Sequence, residues 1–332
     1  MAPSSSTETN HKIPRVADLF LQLYHMVPSK AIYLPGKKHV PMSFALASAI
    51  FLTFIRFLGH FLLVVIWNWP PAAMETQKAA ASVASITHST ILCTGLLVAF
   101  RSHTKPCRPS QRLSEAPQWW QELVDALLQF CTGYMLYDFL FILLMAYYAK
   151  TEKMPSSWWQ WLIPPPIDFD DILFLGHHVI TSTYMTSTRI LQAGHVSAMM
   201  CMLVGELTNP LHNGYFIMEL AMDLDCCNGP RAQVAHDIIR IVFAVSYWLL
   251  RVVLGPICMA YVTYDLIGTT AGRSNIPWVW NIIWNVMIWT VIVASKFEIA
   301  KCQGWIVQFL ASQGLLGLEP DTDSTNLLTK EL

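Results

Sequence analysis

Two stretches of 22 residues, 79–100 and 274–295, contain no Asp, Glu, Lys or Arg. At about 1.5 Å per helical residue each reaches roughly 33 Å, enough to cross a hydrocarbon core of roughly 30 Å. The rest of the chain agrees: 54% of its 332 residues are hydrophobic and only 13% are charged, about half the charge of an ordinary soluble domain. The sequence therefore reads as an all-α, multi-pass transmembrane bundle. A net charge of −1 leaves no basic excess for nucleic acid. The eight cysteines include no C-x-x-C pair, and no H-E-x-x-H, G-x-S-x-G or Walker motif occurs. Neither a metal site nor a disulfide framework is expected.

About seven spans are expected, at 43–67, 79–100, 123–148, 171–188, 190–208, 237–264 and 276–296. Trp67, Trp69 and Pro70–Pro71 close the first in the manner of a membrane interface. The Pro- and Trp-rich stretch 155–169 is expected to lie in the interface. Asn209–Pro210 interrupts the fifth span, and 211–222 is only 12 residues, or roughly 18 Å, too short to cross again; it is expected to be re-entrant or interfacial. Residues 1–42 read as an extramembrane arm and 301–332 as a polar tail, whose acidic stretch "LEPDTDSTNLLTKEL" is expected to be flexible. The arm holds five Lys or Arg and the 101–122 loop four, against three in loops 68–78 and 149–170. By the positive-inside rule the arm and the 101–122 loop face the cytosol.

Ionisable groups at membrane depth are costly, so each is a functional candidate. The densest set is "DILFLGHHVITSTYMTSTRILQAGHVSAMMCMLVGELTNPLHN". His177 and His178 are adjacent in the fourth span, with Thr181 and Ser182 one turn further on. If the chain reverses near Arg189–Leu191, Glu206 comes within a turn of the pair. A carboxylate beside an imidazole fixes its tautomer and raises its basicity. Asp138, mid-way along the third span, is placed to serve the same cavity. His60, His88 and His195 read instead as structural histidines bonded to a neighbouring hydroxyl or carbonyl. Arg251 reads equally as a counter-ion for a carboxylate and as a contact for a lipid headgroup. Arg56 is expected to pair locally or to reach towards the interface.

"GYMLYDFL", "DILFLGHHVITST" and "GELTNPLHN" occur here in an order and spacing that resemble the TLC-domain family. That family includes ceramide synthases, translocating-chain-associated membrane proteins and the ceroid-lipofuscinosis membrane protein. The resemblance covers about 79–300, leaving the first span, 43–67, and both termini outside. It implies six helices in a barrel around a lipid-sized cavity, usually in the endoplasmic reticulum membrane. In ceramide synthases the His pair is catalytic in acyl transfer, which by position implicates His177 and His178. "GELTNPLHN" departs from the acidic stretch of the synthases and is closer to the non-synthase branch, which weakens the case for sphingoid N-acylation while keeping a polar lipid cavity.

Two functions are weighed. In the first, the protein transfers an acyl chain to a lipid acceptor. His177 is base or transient acyl carrier, His178, Glu206 and Asp138 support it, and Asn209 holds an acyl oxygen. Thr181, Ser182 and Arg251 complete the substrate-binding set. No metal or cofactor is expected, with acyl-CoA or a phospholipid as candidate donor. In the second, the protein is a non-catalytic lipid sensor, transporter or trafficking factor. The partners are membrane lipids in either case, and a homodimer is allowed.

Overall fold

The computed structural model describes residues 13–28, 31–34, 38–102, 107–151, 169–226 and 229–313, which are helical apart from one hairpin. After α1 (Arg15–Met26), strands β1 (Ala31–Leu34) and β2 (Lys38–Pro41) pair antiparallel with Tyr33 opposite His39. Then follow α2 (Ser43–Val65), α3 (Met74–Ser102), α4 (Gln118–Thr151), α5 (Phe169–Leu191), α6 (His195–Glu206) and α7 (Asn209–Asp223). A long helical segment comes next: α8 (Pro230–Trp248), a π-helical stretch Leu249–Leu254, α9 (Gly255–Thr263) and a second π turn, Tyr264–Gly268. The short α10 (Thr270–Asn275) leads to α11 (Trp278–Ala294) and α12 (Lys296–Ser312). The 155–168 part of the expected interfacial stretch, residues 1–12 of the arm and 314–332 of the tail lie outside the described residues.

Small side chains place α3 and α4 at the centre. Ala79, Ala80, Ala84 and Ala99 of α3 are fully buried, and alanine lets neighbouring helix backbones approach closely. On α4, a Cβ at Gly133 would stand 2.3 Å from the carbonyl oxygen of Ala45, so α2 and α4 touch backbone to backbone there. Leu123, Leu127 and Leu128 of α4 fill the core against Leu92 and Leu96 of α3. The later segments, by contrast, present exposed apolar faces, including Val242, Val245, Ile257, Ile282 and Val286, as lipid-facing helices should.

Contacts at the two ends of the bundle fix the chain path. One end gathers the loop before α4, the α5–α6 turn and the α9–α10 region. Leu113 N donates to Gln192 O at 2.8 Å, Gly194 N to Gln111 O at 3.1 Å and Ser110 N to Asp265 Oδ2 at 2.7 Å. The opposite end packs Leu63, Trp69, Ala79 and Ala80 against Leu220 and Ala221. The chain runs along the bundle in seven passes: α2, α3, α4, α5, α6 with α7, α8 with α9, and α11 with α12. Among the described residues, five helical segments are long and apolar enough to cross a membrane: Ser43–Val65, Met74–Ser102, Gln118–Tyr147, Pro230–Gly268 and Trp278–Ser312. The two remaining passes are the ones that carry most of the polar candidates.

Two expectations are corrected, for 211–222 and for 301–312. The stretch 211–222 is not re-entrant. α6 starts beside Gln111 and α7 ends beside Ala79 and Ala80, so 195–223 makes one bent pass antiparallel to α3. Leu207 and Thr208, between the two helices, keep right-handed helical dihedrals, so the two pieces add their lengths. The described part of the N-terminal arm packs on the bundle: Ala17 and Leu21 of α1 are buried, and Tyr24 Oη donates to Asp125 Oδ2 of α4 at 2.8 Å. Helix α12 runs to Ser312, so residues 301–312 of the expected tail are helical, with Cys302 buried against Phe243 and Ala244 of α8.

Candidate functional site

The inward stripe of α3 is polar. Ser82, Ser85 and Ser89 recur at i, i+3 and i+7 with His88 beside them, and all four are buried. The charge-free stretch 79–100 of this helix thereby brings hydroxyls and an imidazole to the bundle interior, opposite Tyr134 and Asp138 of α4, His177 and His178 of α5 and Glu206 of α6. Ser85 Oγ lies 2.8 Å from Tyr134 Oη, which fixes the phenol in the middle of the group.

Two acid–histidine pairings flank Tyr134. On one side, His178 Nε2 is 2.7 Å from Asp138 Oδ2, and His178 Nδ1 is 2.7 Å from the carbonyl oxygen of Phe174. A carbonyl only accepts, so Nδ1 carries a proton. A second proton must lie between Nε2 and Oδ2. Both ring nitrogens are thus committed, and His178 has no free lone pair. On the other side, Glu206 Oε2 accepts from Ser89 Oγ at 2.8 Å and from Asn209 Nδ2 at 2.7 Å. His88 Nδ1 stands 3.8 Å from the same oxygen, too long for a hydrogen bond. The His88 ring is stacked on Tyr134, with centroids 3.8 Å apart and planes within 9°, and more loosely on Phe130.

Sequence reasoning and structure differ on the partner of the histidine pair. Glu206 was expected to reach it; Asp138 does, while Glu206 is held by Ser89 and Asn209 on the far side of Tyr134. Asn209, expected to hold an acyl oxygen, directs its amide to that carboxylate. Thr181 and Ser182 are half-buried, and no hydrogen bond joins either to the histidines. His177 is half-buried, with its ring at 81° to that of His178 and centroids 5.8 Å apart. It has no hydrogen-bond partner among the described residues. Arg251 donates from Nη2 to the carbonyl oxygen of Gly205 at 3.0 Å and lies within electrostatic reach of both His177 and Glu206.

His88, read from the sequence as a structural histidine, lies at the centre of the site. It is fully buried and neither ring nitrogen has a hydrogen-bond partner among the described residues, so it is not bonded to a hydroxyl or carbonyl as expected. His195 is likewise buried with both nitrogens unpartnered. His60 does behave as expected, 2.9 Å from Gln77 Nε2 and 3.2 Å from Pro71 O. Arg56 pairs locally, donating from Nη2 to Gln77 Oε1 at 2.7 Å. Beyond this site, Arg189 of α5 binds Asp125 of α4 at 2.6 Å, with Tyr24 and Gln129 on the second carboxylate oxygen; that network fastens α1, α4 and α5 at one end.

The group offers the restrained imidazole of His178, the open imidazoles of His177 and His88, two carboxylates and a guanidinium within a low-dielectric interior. No group of three or more His, Cys, Asp or Glu side chains among the described residues is arranged to hold a metal ion. A family model described as the TLC domain matches residues 78–297. No curated protein and no solved structure matches the chain.

Proposed function

Since the chain belongs to the TLC-domain family, and is thereby a multi-pass membrane protein of lipid-related function, we propose that it transfers an acyl chain to a lipid acceptor with His177 as general base. The observation that carries this reading is the contrast within the histidine pair. His178 is pinned through both nitrogens to Phe174 and Asp138, whereas neither nitrogen of the adjacent His177 is engaged among the described residues. A pinned neighbour on the same turn holds the backbone that presents His177, and an unengaged imidazole can accept and return a proton.

In this reading a His177 nitrogen takes the proton from an acceptor hydroxyl or amine as that atom attacks the acyl carbonyl. The same nitrogen then returns the proton to the leaving group, a thiolate from acyl-CoA or an alkoxide from a phospholipid donor. Asp138 and His178 act as positioning residues. Glu206 and Asn209 form the far wall, with Thr181 and Ser182 as substrate-side hydroxyls. His177 lies 14 residues from the Leu191 end of α5, about 21 Å along the helix. If the 101–122 loop faces the cytosol, that depth favours a donor already in the bilayer over one arriving from the cytosol. The endoplasmic reticulum membrane is the compartment we assign.

The test is acyl transfer by the purified full chain, given radiolabelled acyl-CoA or phospholipid donors with lyso-lipid and sphingoid acceptors. Wild type and His177→Ala are run side by side. Product from wild type alone, with both proteins melting alike, supports catalysis. The second reading, a lipid carrier or sensor, draws on the departure of "GELTNPLHN" from the acidic synthase stretch. It wins if no donor yields product and the same lipid co-purifies with both proteins.

A further inference from the structure

Arg251 occupies the π-helical stretch Leu249–Leu254, between α8 and α9. Pro256 follows in the first turn of α9; lacking an N–H, it cannot continue the α-helical ladder. Single π turns inside helices recur at functional sites. This one carries a guanidinium into the bundle beside α6.

That guanidinium is short of partners. Nη2 donates to Gly205 O at 3.0 Å, and Cζ sits 5.4 Å from the centroid of the Tyr247 ring. Nε is buried and has no partner among the described residues. Arg189 and Arg240 each have a carboxylate, Asp125 at 2.6 Å and Asp237 at 3.2 Å. Among the described residues no carboxylate lies within 4.0 Å of Arg251. Glu206 lies within electrostatic reach of it, yet its described hydrogen bonds go to Ser89 and Asn209. A cation at membrane depth calls for a counter-charge.

Open space adjoins it. A Cβ added at Gly205, whose carbonyl Arg251 holds, would meet nothing within 4 Å, and the same is true at Gly176, next to His177. Most glycines in the packed parts of this bundle behave otherwise: at Gly95, Gly133, Gly194 and Gly272 an added Cβ would lie 2.5 Å or less from a neighbour. α5 and α6 therefore each leave open space at a glycine, one next to His177 in the sequence and one whose carbonyl Arg251 holds.

We propose that Arg251 binds the oxyanion of an acidic lipid, a phosphate or a carboxylate, in the space left open at Gly176 and Gly205. The inference rests on the reading that the His177 side of the bundle receives lipid, and it narrows the substrate class to lipids bearing a negative charge. A guanidinium suits this task because its planar fork can donate two parallel hydrogen bonds to one oxyanion.

The experiment measures binding with no acyl acceptor present. Full-length protein, delipidated in a neutral detergent, is titrated with radiolabelled oleate, dioleoyl phosphatidic acid and uncharged oleyl alcohol. Wild type is expected to bind at least one acid ligand tenfold or more tightly than oleyl alcohol. Oleate alone identifies a carboxylate, phosphatidic acid alone a phosphate, and both together any lipid oxyanion. Arg251→Gln should lose the preference and Arg251→Lys keep part of it. Gly205→Leu, which fills the gap and leaves the guanidinium intact, should weaken acid-lipid binding tenfold at an unchanged melting temperature. The inference is overturned if oleyl alcohol binds as tightly as the acids, or if Gly205→Leu and a folded Arg251→Gln both retain the preference. His177→Ala should retain it. Arg251-dependent binding without acyl transfer by wild type would leave this inference standing and remove only the catalytic reading.

Discussion

His178 Nε2 and Asp138 Oδ2 are 2.7 Å apart, and the other ring nitrogen of His178 is equally close to the carbonyl oxygen of Phe174. The backbone carbonyl lies one turn back on the same helix and the carboxylate comes from α4, so the ring is fixed in both position and plane. α4 and α5 are thereby linked at membrane depth as well as at Asp125–Arg189. Between these two ties α5 has little freedom to rotate, and the side on which it presents His177 is set.

Asp138→Asn replaces an acceptor by a side chain whose amide can donate to Nε2, so the ring can stay in place with one proton fewer. Under the proposed function, the expected outcome is a melting temperature close to wild type with acyl transfer reduced about tenfold, against the 10²–10⁴-fold that a general base typically contributes. Steady-state transfer rates and thermal unfolding in detergent check it together. Full activity in Asp138→Asn would remove the positioning role.

Ser89→Ala leaves the buried Glu206 carboxylate with one donor fewer, since Asn209 alone would remain. Stranding a buried polar group in this way costs about 1–3 kcal/mol. Glu206→Gln added to Ser89→Ala should recover part of that loss, because an amide is cheaper than a carboxylate to leave under-solvated. Melting temperatures of the single and double variants measure the coupling, and simple additivity would argue against it.

Gly194 opens α6 with φ +79°, and a Cβ there would stand 2.5 Å from Cζ3 of Trp284. Gly194→Ala meets both a left-handed backbone cost of about 1–2 kcal/mol and displacement of a fully buried indole. That indole also donates to Ser187 Oγ at 2.8 Å. The variant is expected to be among the most destabilising alanine substitutions in the α5–α6 turn. Gly214→Ala, where nothing lies within 4 Å, should be near neutral in the same thermal assay.

The membrane orientation is open to cysteine labelling, with the probe position dictated by burial. Ser110 lies in the basic loop, but it is fully buried and its backbone is bonded to Asp265 and Asn275. Ser110→Cys should be silent in the folded protein. Ser114, in the same loop, is exposed. In a background without reactive native thiols, Ser114→Cys is expected to react with an impermeant reagent on the cytosolic side of sealed microsomes. Reaction only after permeabilisation would invert the orientation.

Helix positions were legible because a charge-free run such as 79–100 has no other stable form in a bilayer. The site was legible only as a set of residues. Which carboxylate meets which histidine depends on the rotation of whole helices, which spacing along one chain leaves open; hence Asp138, and not Glu206, is bonded to His178. His88 gave no local signal as a lone histidine, although the serines at 82, 85 and 89 marked the face on which it lies. The bent pass through 195–223 was misread because each side of Pro210 was required to cross alone. Proline in the first turn of α7 is compatible with a continuing helix direction, and the two short pieces together match the length of α3.

The end of the bundle where Ser110, Gln111 and Leu113 bond to Asp265, Gly194 and Gln192 ties three connections that are far apart in sequence. Most of these bonds run between backbone groups, and Asp265 supplies the one carboxylate. Replacing a side chain in the loop can therefore leave the joint standing, whereas adding or removing a residue between Ser110 and Leu113 would shift all three connections at once.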